Sequence, residues 1–200
     1  MKVTPQLASL TALLVVAQVT PATPTNSPTP SPSPSPSNPA LPHHPTAQQV
    51  IAELNLTANP EKGYYVESFR DPDNATIITP TGIASERSFS TAIYYLLEGG
   101  AGDSVWHRVD AVEVWHYYAG APLTLSLSYD DGEPVTRKVL GPDIFAGDGR
   151  QQRPQVAIGK LQWQSARSHG DWTLVGTTVA PGFTDSGVEL AAPGWKPKGA

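Results

Sequence analysis

His107, Glu113 and Gly120 lie in a stretch that also carries Trp106, Trp115, Tyr117 and Tyr118. An imidazole beside a carboxylate is equipped for general acid or base work, because the carboxylate orients the ring's tautomer and favours its protonated form. The same pair elsewhere serves only as a hydrogen bond that shapes a cavity. Trp115, Tyr117 and Trp163 add flat apolar surface with polar tips, suited to stacking on a sugar ring or an aromatic ligand. Taken singly, each is equally at home filling a core. The chemistry within reach is binding of a small molecule, or proton transfer upon it, with His107, Glu113 and Tyr117 as catalytic candidates.

Such side chains need strands to position them. In Val112 to Tyr118 residues alternate in direction, so Glu113, Trp115 and Tyr117 share one face while Val112, Val114 and His116 share the other. The same parity groups His107 with Val109, and Tyr65 with Glu67 and Phe69. Further β-type runs cover Gly63 to Arg70, Ser90 to Leu97, Val105 to Val109, Leu123 to Tyr129, Val135 to Leu140, Gln155 to Ile158, Leu161 to Ala166 and Trp172 to Val179. Turn signals such as "EGGAGD", "YDDGEP" and "SHGD" separate them. Before them, "TAQQVIAELNL" reads as a short amphipathic helix with Thr46 as N-cap, leaning on the sheet as a lid. Many short strands with one helix predict an all-β sandwich or small barrel.

The chain has 200 residues and a formal net charge of -5, with a sequence pI near 5.4 and charges of both signs scattered. No basic footprint for nucleic acid is present. Cysteine is absent, which excludes disulfides, thiolate catalysis and thiolate metal ligands together. The apolar stretch from Leu7 to Val19 is too short to span a bilayer but long enough for the core of a signal peptide, with Ala17 as a cleavage point. We therefore expect residues 1–19 to be a secretory leader and the protein to be secreted, a cytoplasmic location being the alternative. Residues 20–45 are Pro- and Ser-rich and read as an extended linker. Two sequons, at Asn55 and Asn74, become glycosylation candidates on that reading, and Asn74 is the better placed, in the loop-like "RDPDNAT". The folded domain spans 46–192, followed by an irregular tail at 193–200 whose Trp195 packs on the barrel.

The phrases "NPEKGYYVESFR", "STAIYYLL", "WHRVDAVEVWHYYAGAPL", "LGPD", "RPQV" and "DWTLVGTTVAPGF", in that order, resemble cupin family five of the cupin superfamily. The resemblance covers roughly Gln49 to Leu190 and implies a double-stranded β-helix, or jelly roll, with a short N-terminal helix. His107, Glu113 and Gly120 match the first cupin motif, but Val109 stands where that motif has a second histidine. Gly159, Leu161 and Gln164 stand where the second motif has its Pro, Gly and His. A metal in a nitrogen and oxygen site needs about three protein ligands. Val109 cannot donate and Gln164 is a weak neutral donor. We expect no tightly bound metal and no other cofactor.

"EKGYYVESFR" is also similar to a segment of the nucleotide-sugar epimerase branch of the cupins. That resemblance implies that Lys62 and Glu67 contact the nucleotide part of a substrate, with Tyr65 beside them. The epimerase's catalytic Leu-His pair has no counterpart here. Three readings follow: a small-molecule-binding cupin lined by Lys62, Tyr65, Glu67, Trp115, Trp163 and Gln164; a sugar or nucleotide-sugar isomerase with His107 as base and Tyr117 as acid; or a metal-dependent oxygenase or decarboxylase. The superfamily resemblance and the apolar side of the Val112 strand imply a homodimer.

Overall fold

The computed structural model describes residues 44–78, 84–147 and 151–200. The leader and most of the linker expected above lie outside these residues. Helix α1 (Ala47–Glu53) is followed by β1 (Thr57–Ala58), β2 (Tyr64–Arg70), β3 (Asn74–Ile78), β4 (Ala84–Ser88), β5 (Thr91–Glu98), β6 (His107–Val109) and β7 (Val112–Gly120). Then come β8 (Leu123–Ser128), β9 (Thr136–Leu140), β10 (Gln155–Ile158), β11 (Trp163–Ser168), β12 (Trp172–Ala180) and β13 (Val188–Leu190). One sheet runs β1-β2-β5-β12-β7-β10, a second runs β13-β6-β11-β8-β9, and β3 and β4 form a separate hairpin. The expected all-β jelly roll with a short N-terminal helix is the fold observed.

Sequence alternation sets the two faces. In β8, Leu123, Leu125 and Leu127 are buried while Thr124 and Ser126 are partly exposed. These leucines meet Leu97, Val175 and Ala166 to fill one end of the sandwich with a dry core. Tyr95 and Trp115 belong to the same cluster and cap it, edge to face at 5.7 Å. Beyond them, between β2, β5, β7 and β12 on one side and β6 and β13 on the other, the interior stays open.

Thr46 caps α1 with a full capping box: its hydroxyl accepts from the Gln49 N–H, and the Gln49 side chain accepts from the Thr46 N–H. The helix packs on the outer face of the six-stranded sheet through Ala47, against Leu96, Tyr94 and Leu174. It covers that sheet from outside and does not line the interior cavity. Gly120 ends β7 with φ of +87°, and a side chain there would run into the Trp172 carbonyl. Only glycine fits a left-handed backbone pressed against another strand.

Three elements differ from expectation. The "RDPDNAT" loop instead feeds β3, which pairs with β4 in register. The "GVEL" segment forms β13 on β6, with Glu189 opposite Arg108 and ion-paired to it at 2.6 Å. Leu161 has φ of +59° in the turn before β11, so that strand begins at Trp163. Trp195 does pack on the barrel, 4.3 Å from Trp163 and 6.3 Å from Trp106 between ring centroids.

Leu125 is wholly buried among the leucines of the closed end. Leu125→Ala should lower unfolding free energy by about 2–5 kcal/mol, read from the urea midpoint at unchanged slope, and should leave the cavity at the opposite end intact.

Candidate functional site

The open end forms a cavity of about 380 Å³. His107 and Val109 reach it from β6, Glu113 and Trp115 from β7, Tyr95 from β5, and Glu61 from the turn before β2. His107 is almost fully buried. Its Nδ1 lies 3.0 Å from the Val105 carbonyl. A carbonyl only accepts, so Nδ1 carries the hydrogen and, in the neutral ring, the lone pair of Nε2 faces inward. That Nε2 is 3.4 Å from Glu61 Oε2.

Glu61 is therefore the carboxylate that pairs with His107. Sequence reasoning assigned that place to Glu113. The turn Asn59 to Gly63 presents Glu61: its N–H donates to Asn59 Oδ1 at 2.8 Å and its carbonyl accepts from the Val105 N–H at 3.0 Å. Burial pushes the Glu61 carboxyl above its ordinary value, the nearby Glu113 adds to this, and His107 works the other way. A fifth of the Glu61 side chain still meets solvent, at 20% exposure. Tyr95 donates its hydroxyl to the Lys62 carbonyl at 3.0 Å, and burial pushes its phenol far up.

Glu113 has a different partner. Gln164 sits directly across the β6/β11 ladder from His107, and its Nε2 donates to Glu113 Oε2 at 2.6 Å. His107, Val109, Glu113 and Gln164 thus occupy neighbouring positions on three strands. An amide hydrogen points at the carboxylate where the cupin motifs would bring a histidine, and a valine lines the wall where a second would stand. Among the described residues, no group of three or more His, Cys, Asp or Glu could hold a metal ion. The donor set does not fit the metal that the superfamily motifs imply.

Among the described residues, two buried side-chain polar atoms lack a partner: Trp115 Nε1, on a side chain that lines the cavity, and Gln164 Oε1. Tyr65 and Glu67 line the cavity as well. Glu67 is engaged by Arg70, whose Nη2 and Nε donate to it at 2.6 and 2.9 Å.

Four candidates fall outside. Gln164 is fully buried with its amide on Glu113 and is not part of the cavity lining. Tyr117 shares the face of Glu113 and Trp115 but stands four residues from Glu113 along β7, about 13 Å at strand rise. It packs against the leucine core, and its hydroxyl donates to the Gly120 carbonyl at 2.6 Å, so it is no acid for this site. Trp163 neighbours Gln164 in β11 and so faces the opposite side, beneath Trp195 and with Arg108 4.7 Å from its ring centre. Lys62 turns away: its Nζ donates to the carbonyls of Ala101 at 3.0 Å and Asp103 at 2.6 Å. Both sequon asparagines are exposed, Asn55 just past α1 at φ of +53° and Asn74 at the start of β3.

A carboxyl whose value is raised on folding binds its proton more tightly in the folded chain. The stability this contributes is present below the ordinary value of 4.5 and is lost as pH rises through the folded value. Glu61→Gln removes that loss. Relative to the parent, the variant's unfolding free energy should climb as pH rises above 4.5 and then level off, seen in urea titrations. Parallel profiles for the two chains would show that Glu61 ionises alike folded and unfolded.

A family model described as "Cupin superfamily (DUF985)" matches residues 48–191. Protein SO0799 from Shewanella oneidensis is 33% identical, covering 74% of this chain and 86% of its own, with a TM-score of 0.62. A hypothetical protein from Leishmania major is 25% identical, covering 72% and 86%, also at a TM-score of 0.62. Oxalate decarboxylase from Bacillus subtilis matches at 11% identity and a TM-score of 0.45 over 70% of this chain and 30% of its own, too remote to bear on activity. No protein of curated function matches. The jelly-roll topology, the spacing of His107, Glu113 and Gly120, and the match over most of the chain agree: this protein belongs to the cupin superfamily, in its DUF985 family.

Proposed function

We propose that the protein is a small-molecule-binding cupin that holds its ligand by hydrogen bonds and aromatic contact, without a resident metal. The observation that carries this reading is the Glu61–His107 pair opening on an aromatic-walled cavity. The cavity of about 380 Å³ also suits a small molecule.

A second reading is favoured by the tautomer of His107. With Nδ1 held by Val105, Nε2 is free to take a proton from carbon beside a carbonyl of a sugar-like ligand, and the Glu61 carboxyl stands next to it to share that proton. This is the isomerase or epimerase reading, with Glu61 replacing Tyr117 as the acid.

Secretion, glycosylation at Asn74 and Asn55, and homodimerisation remain part of the proposal. The half-exposed Val112 and Tyr118 on the outer face of the six-stranded sheet support self-association.

One native mass spectrum of protein purified from its own secretion route tests these points together. It should show a dimer carrying a non-peptide mass that survives chelation, with hexose increments on the chain. A bare chain, or a mass that chelation removes, speaks against ligand binding without metal. For the second reading, solvent deuterium should enter a bound reducing sugar, and His107→Ala should reduce that exchange by about a hundredfold or more. Unchanged exchange would leave His107 with a structural part only.

A further inference from the structure

The charges of the cavity define a ligand class. Four of its lining residues carry carboxyl groups, Glu61, Glu67, Glu113 and Asp185, and one carries a guanidinium, Arg70. Arg70 is occupied by Glu67 through two short hydrogen bonds, at 2.6 and 2.9 Å. The ammonium of Lys62 is held elsewhere by backbone carbonyls. Among the described residues, Glu113 receives an amide hydrogen from Gln164, and His107 is the ion-pair partner of Glu61.

An anionic ligand would therefore enter a field of its own sign, with the cavity's single guanidinium already paired. A cation meets the opposite field. It would also meet the aromatic wall of Tyr65, Tyr95 and Trp115, whose π-faces attract positive charge. Glu61 and Glu113 both line the cavity, and a positive group among them is favoured by both carboxyl groups.

We infer that the cavity takes a small organic cation, an amine or quaternary ammonium group seated among Glu61, Glu113 and the aromatic wall. The inference rests on the cavity being a small-molecule site, and it argues against the nucleotide diphosphate that the likeness around Lys62 implied.

Isothermal titration with matched probes tests it on the full chain. Choline and 3,3-dimethylbutan-1-ol have the same shape and differ in charge; protonated glucosamine and glucose form a second pair; uridine diphosphate supplies the anion. The charged member should bind at least about tenfold more tightly than its neutral partner in one pair or both, and uridine diphosphate should bind worst. Glu113→Gln should weaken the charged probe by about tenfold or more relative to its neutral partner. Should that variant fail to fold, as judged by near-ultraviolet circular dichroism, Glu61→Gln makes the same comparison from the cavity mouth. Equal binding within both pairs, tighter binding of uridine diphosphate, or an indifferent folded variant overturns the cation assignment. So does silence from every probe at millimolar concentration; the native mass spectrum then decides separately whether the cavity binds anything.

Discussion

A carboxylate inside a β-sandwich must be given a partner, and the choice of partner for Glu113 organises this cavity. Glu113 is 7% exposed, and what reaches it is the Gln164 amide at 2.6 Å. That contact ties β7 to β11 across the interior and holds the Glu113 carboxylate on Gln164. It also places the orphaned Gln164 oxygen in the interior. A buried charge without a hydrogen bond is far more costly than one with it. An amide can thus stabilise the acidic end of the sandwich in the role a cation fills elsewhere, and it leaves the remaining volume to a guest.

The core and the cavity divide one interior between them. Leucines from β8 close one end, where hydrocarbon meets hydrocarbon and nothing polar needs an answer. Tyr95 and Trp115 form the boundary, packed in the leucine cluster and also lining the cavity. Beyond that boundary Nδ1 of His107 is held by the Val105 carbonyl, Nε2 faces Glu61, and burial holds the Glu61 carboxyl above its ordinary value.

Much of the fold is legible in the residues. The leucine alternation of β8, the Glu113–Trp115 parity of β7 and the Thr46 capping box are local signals that tertiary packing reinforces. The hairpin of β3 and β4 is not, because Pro72, Asp73 and Asn74 look like a turn and the pairing that makes them a strand start is non-local. β13 is three residues long and pairs at an edge, too short for alternation to register. Parity groups Glu113 with Trp115, Tyr65 with Glu67, and His107 with Val109 on three strand faces; that these faces meet in one cavity is a tertiary fact that alternation does not carry. Trp163 and Gln164 could not both face inward, since neighbours on a strand point apart. Glu61 was hidden for a different reason: it lies on a turn, where parity is silent, and its neighbour Lys62 draws attention as the charge that a family likeness would use.

β6 is only three residues long, with the cavity on one side and the tryptophan stack of Trp106, Trp163 and Trp195 near its other. Further along, the Lys198 N–H donates to Asp130. The segment around Trp195 therefore buttresses, from outside, the short strand that carries His107. Loosening Trp195 pulls on the mortar behind the imidazole, so this outer stack belongs to the architecture of the binding chamber as much as the walls do.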